Sequence, residues 1–226
     1  MKSPVILILC LLLFGTAQAK DQYKEHRTVG DFTKVQLEGA FNLFITQGNS
    51  NALALEAKKQ SVIHRLHTEV RGETLYITTD DNMDKAKKLT VYLQVKDLSL
   101  LKVLGATKVY SKNPLTNDLR VELLGAAKVR LLVQNKQLEF HAQGVSSSII
   151  KGKVQQADFQ MEGMGKLDAE ELICTDAHVY LAGFCKANLY VKNKIMGNIE
   201  GFCKLAVAGT ENSAIVSSEF SKYDIN

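Results

Sequence analysis

From Leu119 onward, hydrophobic and polar residues alternate with few breaks. Leu119, Val121 and Leu123 enclose Arg120 and Glu122, and Leu138, Phe140 and Ala142 enclose Glu139 and His141. Ala157, Phe159 and Met161 enclose Asp158 and Gln160, and Ala177, Val179 and Leu181 continue the pattern. A period of two marks a strand with one buried face. Each run stops two residues before a glycine. The pattern then resumes with Val129 and Leu131, Leu167 and Ala169, and Leu205 and Val207.

The glycines are themselves periodic. Gly105, Gly125, Gly144, Gly163, Gly183 and Gly201 follow one another at intervals of 20, 19, 19, 20 and 18 residues. Their surroundings are alike: Gly-Ala-Thr-Lys at Gly105, Gly-Ala-Ala-Lys at Gly125, Gly-Val-Ser-Ser at Gly144, Gly-Met-Gly-Lys at Gly163, and Gly-Phe-Cys-Lys at Gly183 and Gly201. Such a unit holds two or three short strands and has no room for a helix of average length. It is half the length of a propeller blade, which runs to about 40 residues. Units this small cannot bury their own faces and must stack, each coil covering the last. The expected fold is all-β: a right-handed parallel β-helix (β-solenoid) with coils of about 18–20 residues. The second residue after each glycine (Thr107, Ala127, Ser146, Gly165, Cys185, Cys203) is small, as a tight corner requires.

Residues 20–98 are less regular than residues 99–226. Phe32, Val35, Leu37, Phe41, Leu43 and Ile45 alternate around Gly39 and read as an early coil. Residues 52–56 and 74–78 read as strands. Between them, Val62, Leu66 and Val70 stand four apart, which predicts a short helix within residues 58–70. Residues 80–88 are polar and read as a loop. An exposed strand ladder invites aggregation, so an irregular start with a small helix would serve as a cap.

Residues 1–19 carry an early lysine, an apolar run over residues 5–14, and Ala17-Gln18-Ala19, the signature of a signal peptide cleaved after Ala19. The run is too short for a membrane anchor, and Cys10 lacks the flanking residues of a lipoprotein site. The mature chain, residues 20–226, is expected to be a single domain without a transmembrane segment. It would reside in the periplasm, on the outer-membrane surface or outside the cell. Net charge is +4, with lysines and acids interspersed, which does not suit nucleic acid.

The pattern carries a resemblance. Asp31-Phe32-Thr33-Lys34-Val35, Gly39, Gln47-Gly48 and the recurring Gly-Ala-x-Lys segments resemble the GIN domain family of autotransporter-adhesin head proteins. The resemblance covers nearly all of the mature chain. It implies an exported β-helical protein of the Gram-negative cell envelope, with adhesion or binding as its role and no established enzymatic activity or cofactor.

Several side chains are candidates for a site. Lys108, Lys128, Lys166, Lys186 and Lys204 all stand three places after a glycine, with Ser147 interrupting. Stacked, they would form either an anion-binding stripe for acidic glycan or lipopolysaccharide phosphates, or a solvated edge neutralised by Glu162 and Glu200. Val145, Met164, Phe184 and Phe202 stand one place after a glycine. They are an outward contact stripe if the alternation continues through the corner, for which another surface protein would also be a partner, and core if it does not. Cys185 and Cys203 occupy equivalent places in successive repeats and are either a disulfide or a column of inert thiols; Cys174 lies elsewhere in its coil.

His64 and His67 lack the further ligands of a metal site, and His141 and His178 fall on outward positions. A polysaccharide-active enzyme would need converging carboxylates, whereas Glu122, Glu139, Asp158, Glu162 and Asp168 read as belonging to different columns. A non-enzymatic binding module and a passive envelope spacer are therefore the two leading expectations, and either is compatible with an oligomer.

Overall fold

The computed structural model describes residues 22–80 and 89–225. The expected signal peptide and most of the loop expected over residues 80–88 lie outside these. The described chain is all-β, with strands β1 (Tyr23–Arg27), β2 (Lys34–Gly39), β3 (Asn42–Gln47), β4 (Ala52–Ala57), β5 (Leu66–Arg71), β6 (Thr74–Thr79) and β7 (Thr90–Val95). They are followed by β8 (Leu100–Gly105), β9 (Lys108–Ser111), β10 (Leu119–Gly125), β11 (Lys128–Gly201), β12 (Lys204–Ala208), β13 (Ser213–Ser217) and β14 (Lys222–Ile225). The single helix, α1 (Gln60–Ile63), is one turn long.

The strands form one sheet of mixed direction. In the repeats the strands pair parallel. Gly39 lies opposite Gly105, Gly105 opposite Gly125, and Gly125 opposite Gly144. Val109 of β9 lies opposite Leu43 and Val129, so the segment after the corner stacks in step with the one before it. The long β11 runs through several repeats and bends at glycines of positive φ. Its apolar alternates Phe140, Phe159, Val179 and Leu189 face a continuous core and are fully buried.

The glycine period has two physical causes. Each corner glycine adopts positive φ, from +78° at Gly201 to +123° at Gly125, a region L side chains rarely enter. Each also lies directly against the backbone of the preceding coil. A Cβ on Gly183 would stand 2.6 Å from the Gly163 carbonyl oxygen, and one on Gly201 would stand 2.7 Å from that of Gly183.

The small residue two places later does more than fit the bend. The Thr107 hydroxyl donates to the Gly39 carbonyl at 3.0 Å, and the same oxygen accepts the Ala106 N–H at 2.9 Å. The Cys203 thiol donates to the Gly183 carbonyl at 3.5 Å beside the Phe202 N–H at 2.7 Å. At the last corner the Ser221 hydroxyl donates to the Gly201 carbonyl at 2.9 Å. Where this place holds a hydroxyl or thiol, the corner carbonyl gains a second partner inside a buried bend; Ala127 and Gly165 offer none, and the Gly105 carbonyl takes the Ala126 N–H.

The N-terminal region corrects two expectations. It is not parallel throughout: β6 and β7 pair parallel with β2 and β3 and form the first coil, but β5 pairs antiparallel with β6, β4 with β7, and β1 with β4. The helix expected within residues 58–70 is confined to Gln60–Ile63, and Leu66–Arg71 is strand β5. A spacing of four is a multiple of two, so Leu66 and Val70 satisfy a strand as well as a helix.

The cap closes through Arg27 on β1. Its guanidinium donates to the Leu66 carbonyl at 2.7 Å, to the Thr68 hydroxyl at 3.2 Å and to the Ile63 carbonyl at 3.4 Å, and it pairs with Glu25 at 2.6 Å. Ile63 and Leu66 lie buried beneath it.

Candidate functional site

The corner positions past the glycines build a surface of three side-chain ladders. Alternation continues through the corner: the residues two before and two after the glycine are buried, so the residue one after it points out. Val145, Met164, Phe184 and Phe202 are accordingly exposed, with 53%, 58%, 63% and 56% of their surface accessible. The core reading of these four is thereby overturned. Phe220, 63% exposed, extends the stripe by one coil. The rings of Phe184, Phe202 and Phe220 stack, with centroids 5.2 and 5.3 Å apart and planes 9° and 28° from parallel.

The lysines stand two residues further on. Lys108 lies opposite Lys128, Lys186 opposite Lys204, and Lys204 opposite Lys222. Lys166 occupies the same place past Gly163, which stacks on Gly144 and beneath Gly183. Lys108, Lys166, Lys186, Lys204 and Lys222 are exposed and Lys128 is half-buried. Among the described residues, none of them forms an ion pair with a carboxylate. The expected neutralisation of the lysines by Glu162 and Glu200 is therefore not made. Glu162 accepts from Gln143 at 3.4 Å and Glu200 from the Tyr180 hydroxyl at 3.5 Å. These two glutamates stand one place before a corner glycine, on the other side of the apolar stripe from the lysines, where Gln143, Ala182 and Ser218 occupy the same place in neighbouring coils.

Sequence reasoning missed Lys222 and Phe220. The signal was present as Phe220-Ser221-Lys222, which copies Phe202-Cys203-Lys204. Glu219 stands where the glycine would be, in a turn, so the coil lacks the residue that marks the others.

The cysteines do not form the disulfide considered for Cys185 and Cys203. Both are free and buried, as is Cys174. The Cys203 sulfur instead accepts the Cys185 N–H at 3.2 Å, and each thiol faces the carbonyl of a stacked glycine. Burial pushes the Cys174 thiol up to about 12; burial and then the neighbouring Cys203 push Cys185 up to about 11. Thiols held protonated this way are poor nucleophiles at neutral pH.

Another face carries more charge convergence than the sequence suggested. Glu139 and Asp158 are not in different columns: they occupy the same place in successive coils and share an open groove of about 550 Å³ with Asp176, His141, His178 and Lys194. Glu139 pairs with Arg120 at 3.0 Å, while Asp158 Oδ2 lies 3.6 Å from His178 and its Oδ1 is buried without a hydrogen-bond partner. Glu122, beside the groove, accepts from Arg120 at 2.7 Å and Lys102 at 3.2 Å. Burial raises its pKa, but those two cations outweigh it and hold the carboxyl below its ordinary value. Arg120, Glu122 and Glu139 thus form a charge ladder across coils.

The remaining histidines are surface groups. His67 pairs with Asp80 at 2.7 Å, and His64 is exposed. Among the described residues no three His, Cys, Asp or Glu converge to hold a metal, and no helix is long and apolar enough to cross a membrane.

Residues 31–210 match the family described as "Putative auto-transporter adhesin, head GIN domain". The chain belongs to this family. Solved structures share the fold at low identity. A putative adhesin from Bacteroides fragilis NCTC 9343 aligns with a TM-score of 0.84 at 18% identity, over 92% of this chain and 98% of its own. A putative lipid binding protein from Parabacteroides distasonis ATCC 8503 aligns at 0.62 and 17%, over 92% and 97%. A putative adhesin from Parabacteroides merdae ATCC 43184 aligns at 0.58 and 14%, over 92% and 96%. No curated protein matches the sequence. The three-ladder surface of this GIN domain is thus a feature read from its own residues.

Proposed function

We propose that this GIN domain is an exported, non-enzymatic binding module of the cell envelope that engages an anionic polymer along its lysine ladder. The observation that carries the reading is the run Lys166, Lys186, Lys204 and Lys222, exposed and without carboxylate partners. Like charges stacked at strand spacing repel, and an anionic chain lying along them relieves that repulsion. The phosphates of lipopolysaccharide and the carboxylates or sulfates of acidic glycans supply the matching chemistry. The in-register parallel pairing of residues 99–225 supports a right-handed parallel β-helix for the repeats, which repeats the contact at fixed intervals and suits multivalent binding. The leader read in residues 1–19 and the adhesin description of the family support the export of the chain and its place at the cell surface.

The test is binding of the mature chain to an array of acidic and neutral glycans at low and moderate salt. Binding to acidic members should weaken steeply with salt, since exposed charges are screened over roughly 10 Å at 0.1 M. Changing Lys166, Lys186 and Lys204 together to Gln should abolish it and leave the melting temperature unchanged or slightly raised. Binding that survives the triple change would remove the ladder from the site. The absence of binding to every anion would leave a passive spacer.

A further inference from the structure

We infer that the apolar stripe Val145, Met164, Phe184, Phe202 and Phe220 is a self-association surface, which pairs two copies of this chain side by side with their stacks running in the same direction. The inference starts from the apolar stripe and not from the anion reading, and the same lysines enter it only as the flank that sets the direction of pairing. Five exposed apolar side chains in one line, three of them phenyl rings in van der Waals stacking, form a continuous patch that water solvates poorly.

The ring geometry narrows the partner. Phe184 and Phe202 lie nearly face to face, so their π-faces cover one another and only their edges point outward. A sugar ring stacks on an aromatic face, and here the inner faces are taken. A flat lipid surface would meet the edges, but it would also meet Glu162 and Glu200 on one flank and lysines on the other, so no single headgroup charge matches both flanks.

A second copy meets a complement. The stripe has lysines along one flank (Lys166, Lys186, Lys204, Lys222) and, in two of the same coils, the glutamates Glu162 and Glu200 on the other. Rotation by 180° about an axis parallel to the stripe places each copy's lysine flank opposite the other's glutamate flank. Rotation about an axis across the stripe would place lysine against lysine. Charge therefore selects the parallel arrangement.

The size of the surface sets its strength. Five ladder positions at strand spacing give a length of about 20 Å, and three ladders give a similar width, so each copy contributes roughly 400 Å². That is about half of what a standard interface buries per partner, so the association is weak in free solution and gains weight where copies are crowded on a surface.

Sedimentation velocity on the mature chain, carried to about 1 mM, is the first measurement, and a concentration-dependent monomer–dimer equilibrium is expected. Changing Phe184 and Phe202 together to Ser should weaken it at least about tenfold while leaving the circular dichroism unchanged, since both rings are exposed. Two charge variants sharpen the case. One carries Lys166→Glu and Lys204→Glu, and the other carries Glu162→Lys and Glu200→Lys. Neither should dimerise alone, and their mixture should.

Direction is read from single cysteines. Met164→Cys and Phe220→Cys should each form a disulfide with the same residue of the second copy, because both lie on the axis. An antiparallel pair would link at most one of them. The native thiols are buried and do not interfere. The inference is overturned by a protein that stays monomeric throughout, by a dimer that survives the double Phe change, by charge variants that fail to associate when mixed, by linkage at only one of the two cysteines, or by a monomer that instead binds lipid vesicles through Phe184 and Phe202.

Discussion

The two ends of the chain solve the same problem in opposite ways. The repeats from β8 onward bury one face by alternation and satisfy their backbone against the next coil, parallel and in register, with glycine over glycine. The first seven strands have the same alternation, but they end the stack by turning strands back on themselves, with β5 and β1 running antiparallel along its two edges. An antiparallel partner needs only a short hairpin, whereas a parallel one needs a full circuit of chain. The comparison shows that propagation and termination differ in connection and not in composition: both regions read apolar-polar, and only the turn chemistry separates them.

Glycine substitutions should break that symmetry most clearly. Gly183→Ala drives a Cβ to within 2.6 Å of backbone in the coil below, at φ +98°, and is expected to cost about 3 kcal/mol or more. Gly72→Ala, in the β5–β6 hairpin at φ +58° with nothing within 4 Å, should cost about 1 kcal/mol, from backbone strain alone. Thermal or urea unfolding of the two variants measures the contrast. Equal losses would mean that the corner backbone adjusts and that the close approach is not what demands glycine.

The cap should yield locally before the stack does. Arg27→Met removes the donors to the Ile63 and Leu66 carbonyls, and about 2 kcal/mol of stability is expected to go with them. Hydrogen exchange should quicken in β1 and β5 while the repeats keep their protection. Uniform loss of protection would show that cap and stack unfold as one unit.

The smallest effect is expected from the ladder beside the groove. Glu122 bridges Arg120 and Lys102, so Glu122→Gln should cost about 1 kcal/mol at neutral pH. Because its folded-state pKa is lowered, the stabilisation is present above the unfolded carboxylate pKa and fades as pH falls through the folded value. Wild type and variant should therefore converge in acid, once the pH lies below the lowered folded value. A difference that persisted in acid would point to packing instead of charge.

Much of the stack was legible in the sequence because its corner tolerates one residue type. Positive φ against a neighbouring carbonyl excludes every side chain, so the constraint is written as a bare glycine every coil. The cap was less legible: the alternation in residues 52–56 and 74–78 fixes which side chains are buried, but not whether the neighbouring strand runs parallel or antiparallel. Of the site, the lysine ladder could be read through Lys204 and was lost at Lys222, where Glu219 replaces the glycine. The outward direction of Phe184 and Phe202 turned on parity across the corner, and the buried Leu181 and Cys185 on either side of Gly183 show that parity was kept. Glu139 and Asp158 align in successive runs and could have been paired from the sequence. Their engagement with Arg120 and His178 depends on side-chain reach, which no spacing states.

The acceptor carbonyl at the corners has a consequence for how such a molecule can change over generations. The Gly39, Gly105 and Gly183 carbonyls each receive the N–H of the residue after the next coil's glycine, and at Gly39 and Gly183 a hydroxyl or thiol joins it. These coils thus offer their successors the same socket, a glycine carbonyl, and carry the same plug, a backbone N–H, whatever their other residues are. A gene segment encoding one coil can be duplicated or deleted between two corners and the new junction still fits, shifting the length by one strand spacing of about 4.8 Å. Length becomes a trait that selection can adjust in steps, without redesigning the joints.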